Sequence, residues 1–368
     1  MTTGFPYASY PTGWFQVAWA DEVPKGRAMP LHYFGRDLVL YETEEGKPVV
    51  FDAYCPHLGA HLGWGGRVEG SCLRCPFHGW LFDESGTNVE IPYATRPNHS
   101  QRVGAWEVRE VNGWILVWHD ASGRAPDWEP MTLPEHDSDA YRSSPALRQV
   151  DRGVRLVPQM IVENLVDGAH QQFVHKGSQP AEIYKFEVDG PFFRVFNRML
   201  MGAGKGATWL TPDGQYTAEL HTECWGVGIA VARFIDQDDS VHIQAVTPVD
   251  HEHADLWGSV ITRADDIGGD GTPTEMALTR FRFEMNQLAR DIVIWEHMRY
   301  AARAPFAGPE VRPYGAFRRW ATQFYPDAAA AEPAKTKRAQ TKRDQSTPAQ
   351  STPAHTTRAQ KTRASKTR

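Results

Sequence analysis

Cysteine is scarce in this chain, four in 368 residues. Two of the four are claimed as thiolates by the motif described below, so no disulfide framework can be drawn and a reducing compartment is implied. No stretch approaches the ~18 consecutive apolar residues that a membrane span needs. The opening MTTGFPYASYPTGWF has neither a basic start nor an apolar run, so it does not read as a secretory signal, and the expected location is the cytoplasm. A general basic excess is missing too. The net charge is −6, and from Lys335 onward ten Lys or Arg face one acid, Asp344, which leaves 29 bases against 44 acids in the rest. The body is acidic and no nucleic-acid partner is expected. Residues 327–368, with imperfect repeats of STPA and TKR, hold almost no large apolar residue and read as a disordered basic tail. Hydrophobic content of 41% and charged content of 23% are ordinary for a globular protein, and the length allows two cores.

What is present is concentrated between Cys55 and Trp80, CPHLGAHLGWGGRVEGSCLRCPFHGW. Cys55-x-His57 is followed, after 17 residues, by Cys75-x-x-His78. Each of two short loops therefore offers one thiolate and one imidazole. A [2Fe–2S] centre with two Cys on one iron and two His on the other needs that pairing, and neutral imidazoles in place of thiolates raise its potential. Structural zinc sites use C-x₂₋₄-C and H-x₃₋₅-H knuckles, which this spacing does not supply. Pro56 and Pro76 stiffen the turns, and Gly59, Gly63, Gly65, Gly66 and Gly79 let backbone N–H groups approach the sulfurs. His61 is off the ligand spacing and reads as a packing or hydrogen-bonding residue; Cys72 and Cys224 read as small buried hydrophobes.

Along the chain, FQVAWA, PLHYF, RDLVLYE and PVVFDAY alternate as short antiparallel strands, with turns at Gly35-Arg36 and Glu44–Lys47. Glu84-Ser85-Gly86 and Asn112-Gly113 mark two further hairpin tips. These predict an all-β domain over residues 10–120. Residues 121–145, rich in Pro, Asp and Ser, read as a connector. Residues 146–326 predict an α+β domain, with an antiparallel sheet from FFRVFNRML, QYTAELHTECWGVGIAVARFI, SVHIQAVTPV and ADLWGSVITRA flanked by helices at Met160–Val174 and about 273–302. Thr272 as N-cap, Pro273 at N1 and Glu275 at N3 would open the second helix.

The first helical stretch carries a second constellation, VENLVDGAHQQFVH. Asp167 and His170 are three apart and share a helical face, so the carboxylate can orient the imidazole. His170 and His175 are five apart and diverge by about 140° on a regular helix, so they can meet at one metal only if the helix ends or distorts between them. Two His and a carboxylate facing Fe(II), with open positions for O₂ and substrate, form the usual non-haem oxygenase site. The carboxylate must come from elsewhere. Asp291 lies on a helical face with Leu288, Ile294 and Trp295, where a charge needs a compensating metal or Arg; Glu284 is the fallback.

With both constellations present in this order, the chain resembles the Rieske non-haem iron oxygenases over residues 10–325. CPHLGAHLG…CPFHGW is close to a full match to the family's cluster signature, and Asn164-x-x-Asp167-x-x-His170-x₄-His175 matches its catalytic motif. The segment DIVIW, Asp291–Trp295, resembles the ligand-bearing helix of the ketosteroid hydroxylase branch and favours Asp291 as third ligand. The resemblance implies the oxygenase component of a multi-component monooxygenase: a cluster on Cys55, His57, Cys75 and His78; Fe(II) on His170, His175 and Asp291; Asn164 and Asp167 as catalytic neighbours; O₂ as co-substrate; and NAD(P)H reaching the chain only through a ferredoxin-type reductase. It further implies a ring-shaped homotrimer in which electrons cross from His78 of one chain to Asp167 of the next. Together with IPYA after the second loop, these segments look like the branch of ketosteroid 9α-hydroxylases, cholesterol 7-desaturases and prodiginine oxidative cyclases. The expected substrate is thus large, apolar and polycyclic, to be hydroxylated or desaturated, with oxidative cyclisation as the alternative. Pro56, where ring-hydroxylating dioxygenases tend to carry Arg, leans away from arene dioxygenation. The rival from another class is a Rieske electron carrier without a catalytic iron, which would have no use for Asp167, His170, His175 and Asp291 together.

Overall fold

A computed structural model of the chain describes residues 4–201, 215–235 and 239–328, so the basic tail beyond residue 328 lies outside the described part. The alternating runs of the first half become ten strands. β1 (Gly13–Trp19), β2 (Met29–Tyr33), β3 (Arg36–Glu42) and β4 (Pro48–Asp52) are followed by β5 (Arg67–Glu69), β6 (Cys72–Arg74), β7 (Leu81–Phe82) and β8 (Asn88–Glu90), then β9 (Val108–Val111) and β10 (Trp114–His119). They form three small antiparallel sheets, β2-β3-β4, β5-β6-β7-β8 and β1-β10-β9. Asn112 and Gly113, with φ of 57° and 75°, make the expected two-residue hairpin turn. The β2–β3 reversal lies one residue earlier than expected, at Phe34-Gly35, with φ of 55° and 65°. Phe34 accepts this left-handed backbone because its ring is buried, stacked 4.4 Å from His119.

The second half is one seven-stranded antiparallel sheet. Its strands are β11 (Tyr141–Val154), β12 (Glu182–Asp189), β13 (Phe192–Met201), β14 (Tyr216–Trp225), β15 (Ile229–Ile235), β16 (Val241–Pro248) and β17 (Ala254–Arg263), in the order β11-β17-β16-β15-β14-β13-β12. β11 begins inside the stretch read as connector. It is an edge strand with a register break between Ser143 and Arg148, around Pro145, and its polar, proline-bearing sequence hides the pairing.

The helices depart from their expected bounds. Met160–Val174 is not one helix but α1 (Pro158–Glu163), a 3₁₀ turn at Asn164–Val166, and the single turn α2 (His170–Phe173), with Asp167 extended at φ −98°, ψ 91°. α3 (Glu275–Trp295) starts later than expected, with Thr274 as N-cap accepting from Ala277 N at 3.2 Å, because Pro273 is held in a bridge to Ile267. It buries Ala277, Phe281, Met285, Leu288, Asp291 and Trp295 at three- and four-residue spacing against the sheet. α4 (Gly308–Ala321), which the sequence reading did not separate out, packs Phe317 and Trp320 onto Phe193.

The two halves share a core. Trp14, Trp19, Trp114 and Trp118 of β1 and β10 pack in one cluster with Trp225, Ile243 and Trp257 of the large sheet. Trp19 meets Trp257 edge-on at 4.8 Å, and Thr247 donates its hydroxyl proton to the Gln16 carbonyl.

Candidate metal centres

The two loops of the first constellation are built alike. Cys55 N donates to Ala60 O at 2.9 Å and Gly59 N returns to Cys55 O at 2.9 Å; Cys75 N donates to Trp80 O at 2.8 Å and Gly79 N returns to Cys75 O at 3.1 Å. Gly59 and Gly79 close these loops with φ of 74° and 73°, a conformation that a side chain would resist. Both sulfurs are buried, in a cluster with Val39, Phe51, Leu73 and Phe82, whereas His57 and His78 stand half-exposed with ring centroids 4.7 Å apart. Trp80 stacks on His57 at 4.7 Å and is itself fixed by donating to Tyr93 Oη at 2.8 Å. Arg74 braces the second loop through Gly79 O at 2.7 Å. Cys55 and Cys75 face each other closely enough to interact, and that contact raises the first thiol and lowers the second. Two buried thiols behind two outward imidazoles fit a [2Fe–2S] cluster, which Cys55, Cys75, His57 and His78 would hold between them. His61 is engaged otherwise, its Nδ1 accepting from Gly63 N at 3.0 Å and its ring against Tyr54.

The second constellation also converges. Ligand atoms of His170, His175 and Asp291 all lie within 4.8 Å of one another. The divergence of the two imidazoles is overcome because α2 stops at Phe173 and His175 lies beyond its end, so the rings come to 4.9 Å. Asp291 arrives from α3, 8% exposed beside Leu288 and Trp295; Ile294, expected on that face, is 46% exposed. His175 Nε2 is 3.3 Å from Asp291 Oδ2, and His175 Nδ1 is buried without a hydrogen-bond partner among the described residues. His170 donates Nδ1–H to the Asp167 carbonyl at 2.5 Å, which makes Nε2 the acceptor nitrogen, and burial pushes its imidazole below the ordinary value. Two imidazoles and one buried carboxylate fit a divalent iron, which would compensate a charge that is otherwise expensive to bury.

The orienting contact from Asp167 differs from the expected one. Its carboxylate is 3.9 Å from His170 Nδ1, and Oδ1 instead accepts from Ala169 N at 3.0 Å and His170 N at 3.2 Å. The cause is the helix break: once Asp167 is extended, its carbonyl rather than its side chain reaches the ring. Asn164 Nδ2 stands 3.2 Å from His170 Nε2, as does Gln171 Nε2 at 3.1 Å. Gln171 was missed by sequence reasoning, since the residue after a ligand carries no periodic signal. So was Tyr314 of α4, whose phenol, raised mainly by burial, hydrogen-bonds Asp167.

Beside the triad a cavity of about 1340 Å³, including its open mouth, runs between α3 and the sheet. Leu220, Ala230, Ala232 and Phe234 line it, and the two alanines of β15 keep that wall low. Glu284, the fallback ligand, also lines this cavity but faces His242 at 3.5 Å.

Residues 13–111 match the family described as Rieske [2Fe-2S] domain, and residues 117–325 that described as 3-Ketosteroid 9alpha-hydroxylase C-terminal domain. A cholesterol 7-desaturase of Bombyx mori is 30% identical over 86% of this chain and 70% of that one. The oxygenase component of a 3-ketosteroid-9-alpha-monooxygenase of Rhodococcus rhodochrous is 27% identical over 89% of this chain and 86% of that one. Among solved structures, NdmA of Pseudomonas putida CBB5 with caffeine shares the fold, with a TM-score of 0.66 at 18% identity over 86% of this chain and 94% of that one. A cluster-binding β domain, a converging His-His-Asp triad and a matching catalytic half make this chain a member of the Rieske non-haem iron oxygenases, with a catalytic domain of the 3-ketosteroid 9α-hydroxylase type.

Proposed function

We propose that the chain is the oxygenase component of a monooxygenase or desaturase acting on a steroid-like substrate. The cluster would rest on Cys55, His57, Cys75 and His78, and the catalytic iron on His170, His175 and Asp291. The observation that carries this is the triad's convergence within 4.8 Å on the wall of a mainly apolar cavity. An electron carrier has no need of such a site. When bound, the iron supplies O₂ activation by electrons that arrive through the cluster. The chain's residues do the rest: Asp167 holds His170 in one tautomer, Asn164 and Gln171 flank its ligand nitrogen, and Leu220, Ala230, Ala232 and Phe234 exclude water from the substrate's place. The relatives' names, a cholesterol desaturase and a ketosteroid monooxygenase, support the substrate class.

A ferredoxin-type reductase drawing on NAD(P)H, a cytoplasmic location and a homotrimer belong to the same reading, with residues 10–120 as the cluster domain and 146–326 as the catalytic domain. Exposed Leu58, Trp64 and Phe77 on the cluster loops, and Phe173 and Val293 near the triad, support contact between copies. The test is turnover of cholesterol and of 3-ketosteroids by the iron-loaded protein with a surrogate reductase, prodiginine precursors serving as the comparison. Gain of one oxygen or loss of two hydrogens from a steroid is the expected product. Conversion of the prodiginine precursors alone would overturn the assignment.

A further inference from the structure

Glu284 and Asp291 sit seven residues apart on α3, two turns and about 10.5 Å along one helical face, and both line the same cavity. Glu284 has no place in the triad. Opposite it on β16 stands His242, paired across the sheet with Ala232. His242 Nδ1 is 3.5 Å from Glu284 Oε2, long for a hydrogen bond, and His242 Nε2 is 2.7 Å from Ser240 Oγ. The imidazole therefore turns one nitrogen to each neighbour. The Glu284 side chain is 19% exposed, and what it is exposed to is the cavity.

A carboxylate in an apolar wall is expensive once an apolar ligand displaces the water from it, unless the ligand brings a donor. The cavity's side-chain amides, Gln244 and Gln287 among them, donate and accept alike and so do not discriminate; an ionised carboxylate only accepts. We propose that Glu284, backed by His242, binds a hydroxyl group of the substrate at the end remote from the triad, and that the chain thereby selects a steroid alcohol over the corresponding ketone. This rests on the steroid reading and refines it. A ketone oxygen placed there would set acceptor against acceptor, whereas an O–H forms a charge-assisted hydrogen bond.

The test is calorimetric titration of the iron-loaded protein, without O₂, using cholesterol and the ketone of the same skeleton. The dissociation constant should favour the alcohol by about tenfold to a hundredfold. In Glu284→Gln the amide can donate to a ketone, and the preference should shrink by about tenfold while cluster absorbance and iron content stay unchanged. Equal binding of the two ligands by the unaltered protein overturns the proposal, and this arm decides alone if the variant does not fold. An unchanged preference in a folded variant overturns it too. Binding of neither steroid is a separate outcome, which removes the steroid reading and this inference with it.

Discussion

At the scale of single residues, the triad and the cluster ligands make separable demands. His170→Ala removes one proposed metal ligand without touching the cluster loops. The visible cluster spectrum should persist, iron content should fall by about one-third, and product should vanish; turnover surviving this change would mean that the catalytic iron lies elsewhere. Cys75→Ala removes a buried thiolate, and the cluster colour should go with it. His119 offers a test of a different kind. It is buried against Phe34, donates Nδ1–H to Pro11 O at 2.9 Å, and burial pushes its imidazole below the ordinary value. The unfolded chain then takes up a proton before the folded one does. Stability should fall as pH drops through the unfolded value of about 6.5 and level off only below the folded value. His119→Gln should flatten that slope, seen as a smaller drop in thermal midpoint between neutral and mildly acid buffer.

At the scale of elements, the break between α1 and α2 matters more than either helix. It converts a spacing that diverges into one that converges, and it moves Asp167's carbonyl onto His170. Glu163, the last residue of α1 and 6% exposed, is tied to α4 by Arg318, whose Nε donates at 2.8 Å, and accepts from Tyr300 Oη, ahead of α4, at 3.2 Å. Removing one partner strands a buried charge, so Arg318→Met should cost about 3–5 kcal/mol in a denaturant titration. Adding Glu163→Leu should recover much of that loss, because the stranded carboxylate goes with it; a double variant weaker than the single would contradict this account. That both imidazoles require a helix end was legible from the five-residue spacing. Where the chain breaks was not, because nothing in LVDGA forbids a helix; tertiary packing of Val162 and Val166 against Ala230 and Phe317 selects the bend.

At the scale of the molecule, the cluster half and the catalytic half are joined through one aromatic core rather than by a linker alone. Trp14 and Trp118 share it with Trp225 and Trp257, and β11 enters the large sheet where a connector was expected. Residues 4–328 should therefore unfold in one transition, with cluster absorbance and tryptophan fluorescence lost at the same temperature. Two separated transitions would mean that the halves fold independently. The proposed intersubunit route from His78 to Asp167 has its own test. Chains carrying Cys75→Ala and chains carrying His170→Ala should be inactive apart and regain activity when assembled together, because each supplies the centre that the other lacks. No recovery in mixed assemblies would restrict electron transfer to one chain.

The sequence by itself determined the donors and the order of the two centres, because coordination chemistry is local: two Cys–His loops of fixed spacing can be read without a fold, and so can a motif holding two imidazoles. It also set most of the strands, though not β11 or β12, since a period of two with turn residues between leaves little choice. The resemblance of DIVIW favoured Asp291, but only the tertiary structure brings that carboxylate, over a hundred positions beyond His175, to the imidazoles; it alone decided that His170 is oriented by a carbonyl rather than a side chain and that Glu284 faces His242. These depend on where α3 lies on the sheet and where a helix yields. Both are settled by burial of apolar surface summed over many distant residues, a quantity that no short stretch of sequence contains.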